Sequence, residues 1–406
     1  MQVLFLSPAY PPEMIEYTRG LAEVGARVLG VGDTPAHALP EKVRPYLSDY
    51  LQVPSIMNEG DLIARVKQWL GGRHIDRVEA QWEILVLTAA RLREQLGVAG
   101  MSYNTVLGFR DKQLMKERVE RAGLRVPHAF RASTEKDVID AAHLIGFPVI
   151  IKPIAGAGSA DTYRIQNDQE LRSVLPALRH VPEVSVEEFV DGEEFTFDTV
   201  CIDGEPVYMN VAQYLPRPLI ARTNEWISPV IVTVSDLNQP KIRAGIELGK
   251  GVLKALGMGT GFTHMEWYYK PNGEVVFGEI GCRPGGAHLV DQMNYTSDID
   301  LFREWARAVC HKRFAAPTRR LYNAAIIFKR AQGEGTIRAI HGLDAYKQRF
   351  GQWICTEQLL PVGTHRRNWK QTLVSDGFLI VRHPRWEDAL HMANIAATDI
   401  QMFASR

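Results

Sequence analysis

The sequence predicts a multidomain protein of α/β and α+β class, built as an N-terminal Rossmann-like unit, a central two-lobed core and a small α+β C-terminal cap. Three observations predict it. Over about the first hundred residues, short apolar runs alternate with helical patterns, which is how a doubly wound α/β layer reads. From Asn104 the pattern changes, and an amphipathic helix with an acid at its start opens a second unit. From Asn323 a third composition begins. A chain of 406 residues suffices for roughly two to four domains of about 100–200 residues each. The boundaries are set at 1–103, 104–316 and 317–406.

Taken in order, residues 3–6 are a buried strand, 12–23 a helix and 27–31 a second strand after Gly25. Asp33 ends that strand, where a dinucleotide-binding domain places its ribose-binding acid. The turn at residues 7–12 contains no glycine through which a pyrophosphate could approach, so cofactor binding in this unit is not expected. A helix over 61–70, a strand at 77–79 and a helix over 84–96 complete the unit. The helix opening at 109–116 closes near Gly123 and sets Lys112 and Lys116 at i and i+4 on one face. A solvated stripe and a paired binding site both fit that spacing.

Residues 130–131 and a helix over 135–145 lead to an apolar strand, 147–153, that Lys152 closes. The strand carries its ammonium to the edge of the core. The loop that follows contains Gly156, Gly158 and Ser159, small residues that let backbone N–H groups approach an anion. Lysine and loop together read as a phosphate clamp. A dinucleotide fingerprint would need glycine where Asp161 stands, and a Walker loop needs its lysine after the second glycine, so both are excluded by spacing.

The strand 184–188 runs through Glu187, Glu188, Phe189, Val190, Gly192 and Glu194 into a strand over 195–202. Such an edge offers backbone donors and acceptors to a flat purine, with Phe189 and Val190 as apolar cover. Residues 206–212 pair back. The long segment 213–229, with Arg217, Arg222, Asn224 and Trp226, reads as a mobile loop covering a site. A helix over 241–256 then delivers the chain to two β-rich runs, 263–270 and 275–280, joined by Pro271-Asn272-Gly273-Glu274. With the turn centred between Asn272 and Gly273, Glu266 lies directly opposite Glu279. Opposed like charges are destabilising. Such carboxylates either share a proton or hold a hard divalent cation such as Mg²⁺ or Mn²⁺. Pro284 biases Arg283 to extended geometry and aims its guanidinium at whatever the cation holds. Residues 298–309 read as helix. The cap comprises strands at 323–328, 337–340 and 377–381 and a helix over 386–403.

Composition narrows the function classes. Lys plus Arg and Asp plus Glu both count 47, so no net field favours nucleic acid or an anionic membrane. The apolar opening at 3–6 falls far short of a signal-peptide core and no run approaches a membrane span, which makes the cytoplasm the default expectation. Cys201, Cys282, Cys310 and Cys355 show no C-x-x-C spacing and read as reduced thiols. Twelve histidines form no HExxH or HxH cluster, which argues against a histidine-bound zinc or iron centre. His264 and His288 flank the carboxylate hairpin and read as packing residues. No Gly-x-Ser-x-Gly elbow is present.

Arg110-Asp111-Lys112, Lys152 with its glycine loop, the run from Glu187 to Glu194, and Glu266 with Glu279 and Arg283 occur in one order over about two hundred residues. In that order they resemble the ATP-grasp superfamily. Most of the chain resembles its carboxylate-amine ligase branch, which includes bacterial L-amino acid ligases and, more distantly, biotin carboxylase. The resemblance implies an ATP-grasp core at 104–316 with 128–192 as its small nucleotide-clamping lobe. It implies that Lys112 and Lys152 hold the ATP phosphates and that Gly156, Gly158 and Ser159 fold over them. Glu187 would meet the adenine amino group, the backbone of Glu188 and Val190 the purine edge, and Glu194 the ribose. Glu266 and Glu279 would hold Mg²⁺ or Mn²⁺, and Arg283 would steady an acyl phosphate. Relatives mostly carry asparagine where Gly281 stands, which puts the second metal's coordination in question. The implied activity joins a small-molecule carboxylate, an amino acid, to an amine with release of ADP and phosphate. The alternatives are a bicarbonate- or formate-activating enzyme and a non-catalytic nucleotide-binding relative. Fold analogy alone suggests a homodimer.

Overall fold

The computed structural model describes residues 1–154 and 162–406. The N-terminal unit is a parallel four-stranded sheet in the order Asp49–Gln52, Arg27–Gly32, Gln2–Leu6, Arg77–Glu79. Its two central strands, Arg27–Gly32 and Gln2–Leu6, are apolar runs buried on both faces, as parallel sheets require, and the shorter edge strands are more polar and partly exposed. Helix Met14–Glu23 docks this unit on the rest of the chain. Tyr17 meets Phe302 and Trp305 edge-on at 4.9 and 5.3 Å, and Arg19 pairs with Asp300 at 2.9 Å.

The small lobe is an antiparallel sheet in the order Ala129–Ala132, Val184–Glu188, Val149–Pro153, Tyr163–Ile165, backed by helices Glu135–Ile145 and Asp168–Val174. Thr134 and Asp137 cap the first of these helices reciprocally, which explains why its start was legible. Glu188 leaves the sheet with its N–H donated to His128 O at 2.8 Å.

The large lobe and the cap share one eight-stranded sheet. Its order is Val275–Gly281, Gly261–Tyr269, Glu193–Ile202, Glu205–Leu215, Val230–Thr233, Asn323–Phe328, Gly377–His383, Ile354–Leu359. The antiparallel pairing of Val230–Thr233 with Asn323–Phe328 runs the sheet across the expected boundary at 316. Only a three-stranded sheet of Gln332–Gly333, Gln401–Ser405 and Thr336–His341 belongs to the cap alone. Helix Pro240–Leu256 underlies the hairpin at very short range. A Cβ on Gly245 would lie 2.1 Å from the Trp267 ring and one on Gly249 2.2 Å from Phe197, so glycine at both positions lets the helix seat those rings.

Three expectations need correction. Segment 213–229 is no open loop: the strand runs on to Leu215, and a short helix, Pro218–Thr223, follows. The helix read at 298–309 is Leu301–His311, opened by Asp300, which caps Arg303 N, and an unexpected helix, Leu289–Ser297, precedes it and ends at Asp298 with φ 52°. The helix read at 386–403 stops at Asp399, and Gln401–Ser405 pairs as a strand. Five residues of strand at the end of an apolar helical pattern are too short to show their own period. No helix among the described residues is long and apolar enough to cross a membrane.

Candidate active site

The hairpin places Glu266 directly opposite Glu279, as expected. It does so by two offsets that cancel. The turn is centred on Asn272, with Lys270 N bonded to Glu274 O at 2.9 Å, so Tyr269, Tyr268 and Trp267 face Val275, Val276 and Phe277. A β-bulge at Gly278 inserts one residue and restores the register for His264, Met265 and Glu266. A Cβ at Gly278 would lie 2.8 Å from Glu266 O, so only glycine fits there.

Around this pair the chain assembles an alternating charge cluster. Lys112 Nζ lies 3.2 Å from Glu279 Oε2, and Lys152 Nζ lies 3.0 Å from Glu187 Oε2 and 3.9 Å from Glu279. Lys116, one turn after Lys112, pairs with Glu187 and is only 3 % exposed. Asp111 caps this helix by accepting from Gln113 N and Leu114 N, which fixes the phase that sends both lysines inward.

Burial dominates the titration of each group and the neighbouring charges decide its sign. Burial would raise Glu279, but Lys112 and Lys152 outweigh it and hold that carboxyl at about 2. Glu187 is likewise held well below the carboxylate range by Lys116 and Lys152. One carboxylate cannot fully compensate two ammoniums: burial and the charge of Lys152 bring Lys116 down to about 8, while Lys152 itself is raised against its burial by Glu187 and Glu279. Glu266 goes the other way, raised by burial and by Glu279, and Tyr214 donates to its Oε1 at 3.0 Å. A half-buried carboxylate facing a like charge, with no ammonium of its own and with His264 Nε2 3.9 Å from its Oε1, suits a divalent cation. Among the described residues no group of three or more His, Cys, Asp or Glu could hold a metal. The oxygen donors that face each other at this point are the carboxylates of Glu266 and Glu279.

Lys112, Lys152, Glu187, Glu188, Phe189, Val190, Glu194, Glu266 and Glu279 all line one cavity of about 90 Å³, narrow because the lysines reach across it. Gly156, Gly158 and Ser159 lie outside the described residues. The carboxylate of Glu187 faces Lys116 and Lys152. Arg283 does not line the cavity. It lies beside it at the N-terminal unit, where Glu83 pairs with both Arg283 and Arg110. Burial opposes the charge on Arg283, and Glu83 and Glu279 more than restore it.

Four functional residues escaped sequence reasoning or were left undecided by it. Glu83 stands 200 positions from Arg283 and carries no local pattern. Lys116 was visible only as the i+4 partner of Lys112. Arg217, read as a loop residue, bonds Glu194 at 3.0 Å and Val190 O at 2.9 Å, and its guanidinium lies over the rings of Phe189 and Tyr268. His264 is cross-strand to Asp198, with its Nδ1 2.5 Å from Oδ1; burial would lower its pKa, but Asp198 outweighs that and raises it.

Comparison with known proteins identifies one domain. Residues 145–291 match the ATP-grasp domain family. The chain carries an ATP-grasp domain. It is 28 % identical over 234 residues to an L-arginine-specific L-amino acid ligase of Bacillus subtilis, covering 56 % of each chain. It is 23 % identical over 277 residues to an alanine–anticapsin ligase of Bacillus subtilis, covering 62 % of this chain and 57 % of that one. The chain thus spans just over half the length of these curated relatives. Among solved structures, an L-amino acid ligase from Bacillus licheniformis superposes with a TM-score of 0.81 at 18 % identity, covering 100 % of this chain and 99 % of that one. The biotin carboxylase domain of a Hydrogenobacter thermophilus 2-oxoglutarate carboxylase reaches 0.70 at 18 % identity over 99 % and 91 %. Both structural likenesses establish the fold, including the multidomain layout.

The ATP-grasp site carries a stability signature. Burial and the neighbouring Glu266 raise Glu194 to about 7. Between about pH 4.5 and 7 the folded protein therefore binds more protons at this site than the unfolded chain does. Stability contributed by protonated Glu194 is present below the unfolded pKa and is lost as pH rises through the folded one. Glu187 and Glu279, with depressed pKa values, act in the opposite sense and only near the lower edge of that window, where the unfolded chain still binds protons at them. Glu194→Gln is expected to flatten a decline in the urea midpoint between pH 5 and pH 7; an unchanged decline in the variant would contradict the assignment.

Proposed function

We propose that this protein is an ATP-dependent carboxylate-amine ligase that activates a carboxylate, that of an amino acid, as an acyl phosphate and joins it to an amine, with ADP and phosphate as the other products. The observation that supports it most is the convergence of two facing carboxylates, Glu266 and Glu279, and two lysines, Lys112 and Lys152, on one cavity. The relatives' names, amino acid ligases in two cases, support the substrate class.

Phosphoryl transfer asks the protein for alignment and neutralised charge rather than a covalent partner. Lys112 and Lys152 would exchange their carboxylate partners for the phosphates of ATP, which offers each ammonium a stronger anion. Glu266 and Glu279 would hold Mg²⁺, which when bound neutralises charge on the transferring phosphoryl group. Arg283, fixed by Glu83, would orient the attacking carboxylate and then the acyl phosphate from the opposite side. Phe189, Tyr268 and Leu219 supply apolar walls for the purine. No side-chain nucleophile is required; burial holds the thiol of Cys282 at about 12, too high to serve as one.

The test is to incubate the protein with ATP, Mg²⁺ and pooled amino acids, with and without hydroxylamine. Amino-acid-dependent phosphate release together with hydroxamate formation is expected. Release driven by bicarbonate in the absence of any amino acid, or no release with any acid, would overturn the proposal. Glu83→Gln supplies a second check. It removes the carboxylate charge that holds Arg283 in place, so turnover is expected to fall about 10- to 100-fold while the Kd for ATP stays within about threefold of wild type. Equal losses in both would place Glu83 in nucleotide binding instead.

A further inference from the structure

On the far side of helix Pro218–Thr223 from the nucleotide cavity lies a second, larger cleft of about 1270 Å³ between the segment 225–228 and the cap. Its charge is one-sided. Lys329, Arg330, Arg366, Arg367 and Arg406 line it, against the carboxylates of Glu225 and Glu334 only. Both carboxylates are taken, Glu225 by Arg366 at 2.8 Å and Glu334 by Arg406 at 2.5 Å. Arg330 and Arg367 have no ion pair among the described residues. Arg330 gives Nη1 to Ala221 O and Asn224 O at 2.8 and 2.9 Å and Nε to Ser375 Oγ at 3.3 Å, and Arg367 gives Nη1 to Ser375 O at 3.1 Å. Nη2 of each remains without a hydrogen-bond partner among the described residues. The Arg330 guanidinium carbon lies over the Trp369 ring at 4.5 Å from its centroid, and Trp226, 80 % exposed, lines the same cleft.

Clustered guanidiniums repel one another, and burial with the nearby Arg222 already depresses Arg330 to about 10. A planar fork of donors lacking an anion matches a carboxylate or phosphate in two-pronged geometry. We propose that this cleft is an oxyanion-binding site, in which Arg330 and Arg367 grip a phosphate or carboxylate group of a small molecule. Its place matters for function. The same helix turns Pro218 and Leu219 into the nucleotide cavity and hands its C-terminal carbonyls to Arg330. The anion is therefore either carried by a substrate that reaches from the catalytic cavity to the cap, or a free effector that biases the helix.

The test is tryptophan fluorescence of the full chain, with ADP and Mg²⁺ saturating the nucleotide cavity, titrated with inorganic phosphate. A saturable change that disappears in Trp369→Phe is expected, with affinity about tenfold weaker in Arg367→Gln and in Arg330→Gln/Arg367→Gln. Arg367→Gln matters because it leaves the carbonyls of helix Pro218–Thr223 bonded to Arg330. No saturable change, or the same affinity in both variants as in wild type, would overturn the site. Turnover assays identify the source of the anion. If the substrate carries it, Arg367→Gln raises the KM for phosphoserine relative to serine at least tenfold. If it is a free effector, inorganic phosphate shifts the KM for ATP in wild type but not in Arg367→Gln. The turnover arm rests on the ligase reading, whereas the fluorescence arm does not. Absence of turnover with every amino acid would count against that reading alone.

Discussion

Glu266→Gln is expected to reduce ATP-dependent phosphate release by at least about 100-fold while leaving the protein as stable as wild type or more so. The two effects have one origin. In the folded chain Glu266 is a half-buried carboxylate opposite Glu279, with no lysine of its own and a pKa raised by partial burial and by that neighbour. Glutamine keeps the side-chain oxygen that accepts from Tyr214 and removes the repulsion, so folding gains. In the proposed site, turnover would lose one of the two carboxylates that would hold the cation, a contribution of several kcal/mol in sites of this kind. A thermal melt and a phosphate-release assay on the same preparation decide it. A variant that melts lower and is inactive would mean that Glu266 holds the sheet together instead. A variant that turns over normally would remove the carboxylate pair from the site altogether.

What could be read in advance divides along the range of each interaction. The carboxylate pair was legible because a strand has period two and a Pro-Asn-Gly turn sets the register locally. The expected turn centre was nevertheless half a residue off, and the bulge at Gly278 compensated; a glycine flanked by Phe277 and Glu279 gives no sign of which strand it bulges from. Lys152 was legible as a cation ending an apolar strand. Lys116 was ambiguous because a helix face with two lysines looks the same whether it meets water or a carboxylate, and Glu187 comes from another sheet. Glu83 could not be found at all: it sits beside Trp82 and Ile84 in a short 3₁₀ turn, and its purpose exists only once the N-terminal unit docks through Tyr17 and Arg19. The shared eight-stranded sheet was hidden for the same reason. Val230–Thr233 was not read as a strand and Asn323–Phe328 was read as the opening of a separate cap, and nothing local says that they pair.

Lys152→Met is expected to weaken ATP binding at least tenfold and to lower turnover by about 100- to 1000-fold, because the lysine stands between the two carboxylates that face the phosphates. Loss of activity alone would not separate binding from folding, since removing one member of a buried ion pair costs about 3–5 kcal/mol. The charge cluster supplies the separation. Without Lys152, Glu187 keeps Lys116 and Glu279 keeps Lys112, so each carboxylate retains one partner and the expected destabilisation lies below that range. The ammonium of Lys116, freed from repulsion by Lys152, should then titrate above about 8. Adding Glu187→Gln leaves Lys116 buried without its carboxylate, so the double variant should be less stable than Lys152→Met, and equally unable to bind ATP. If the double variant were instead more stable than the single one, Lys116 and Glu187 would not be a pair worth keeping. The alternation of lysine and glutamate that defines this cavity would then be a side effect of packing rather than a site prepared for phosphate.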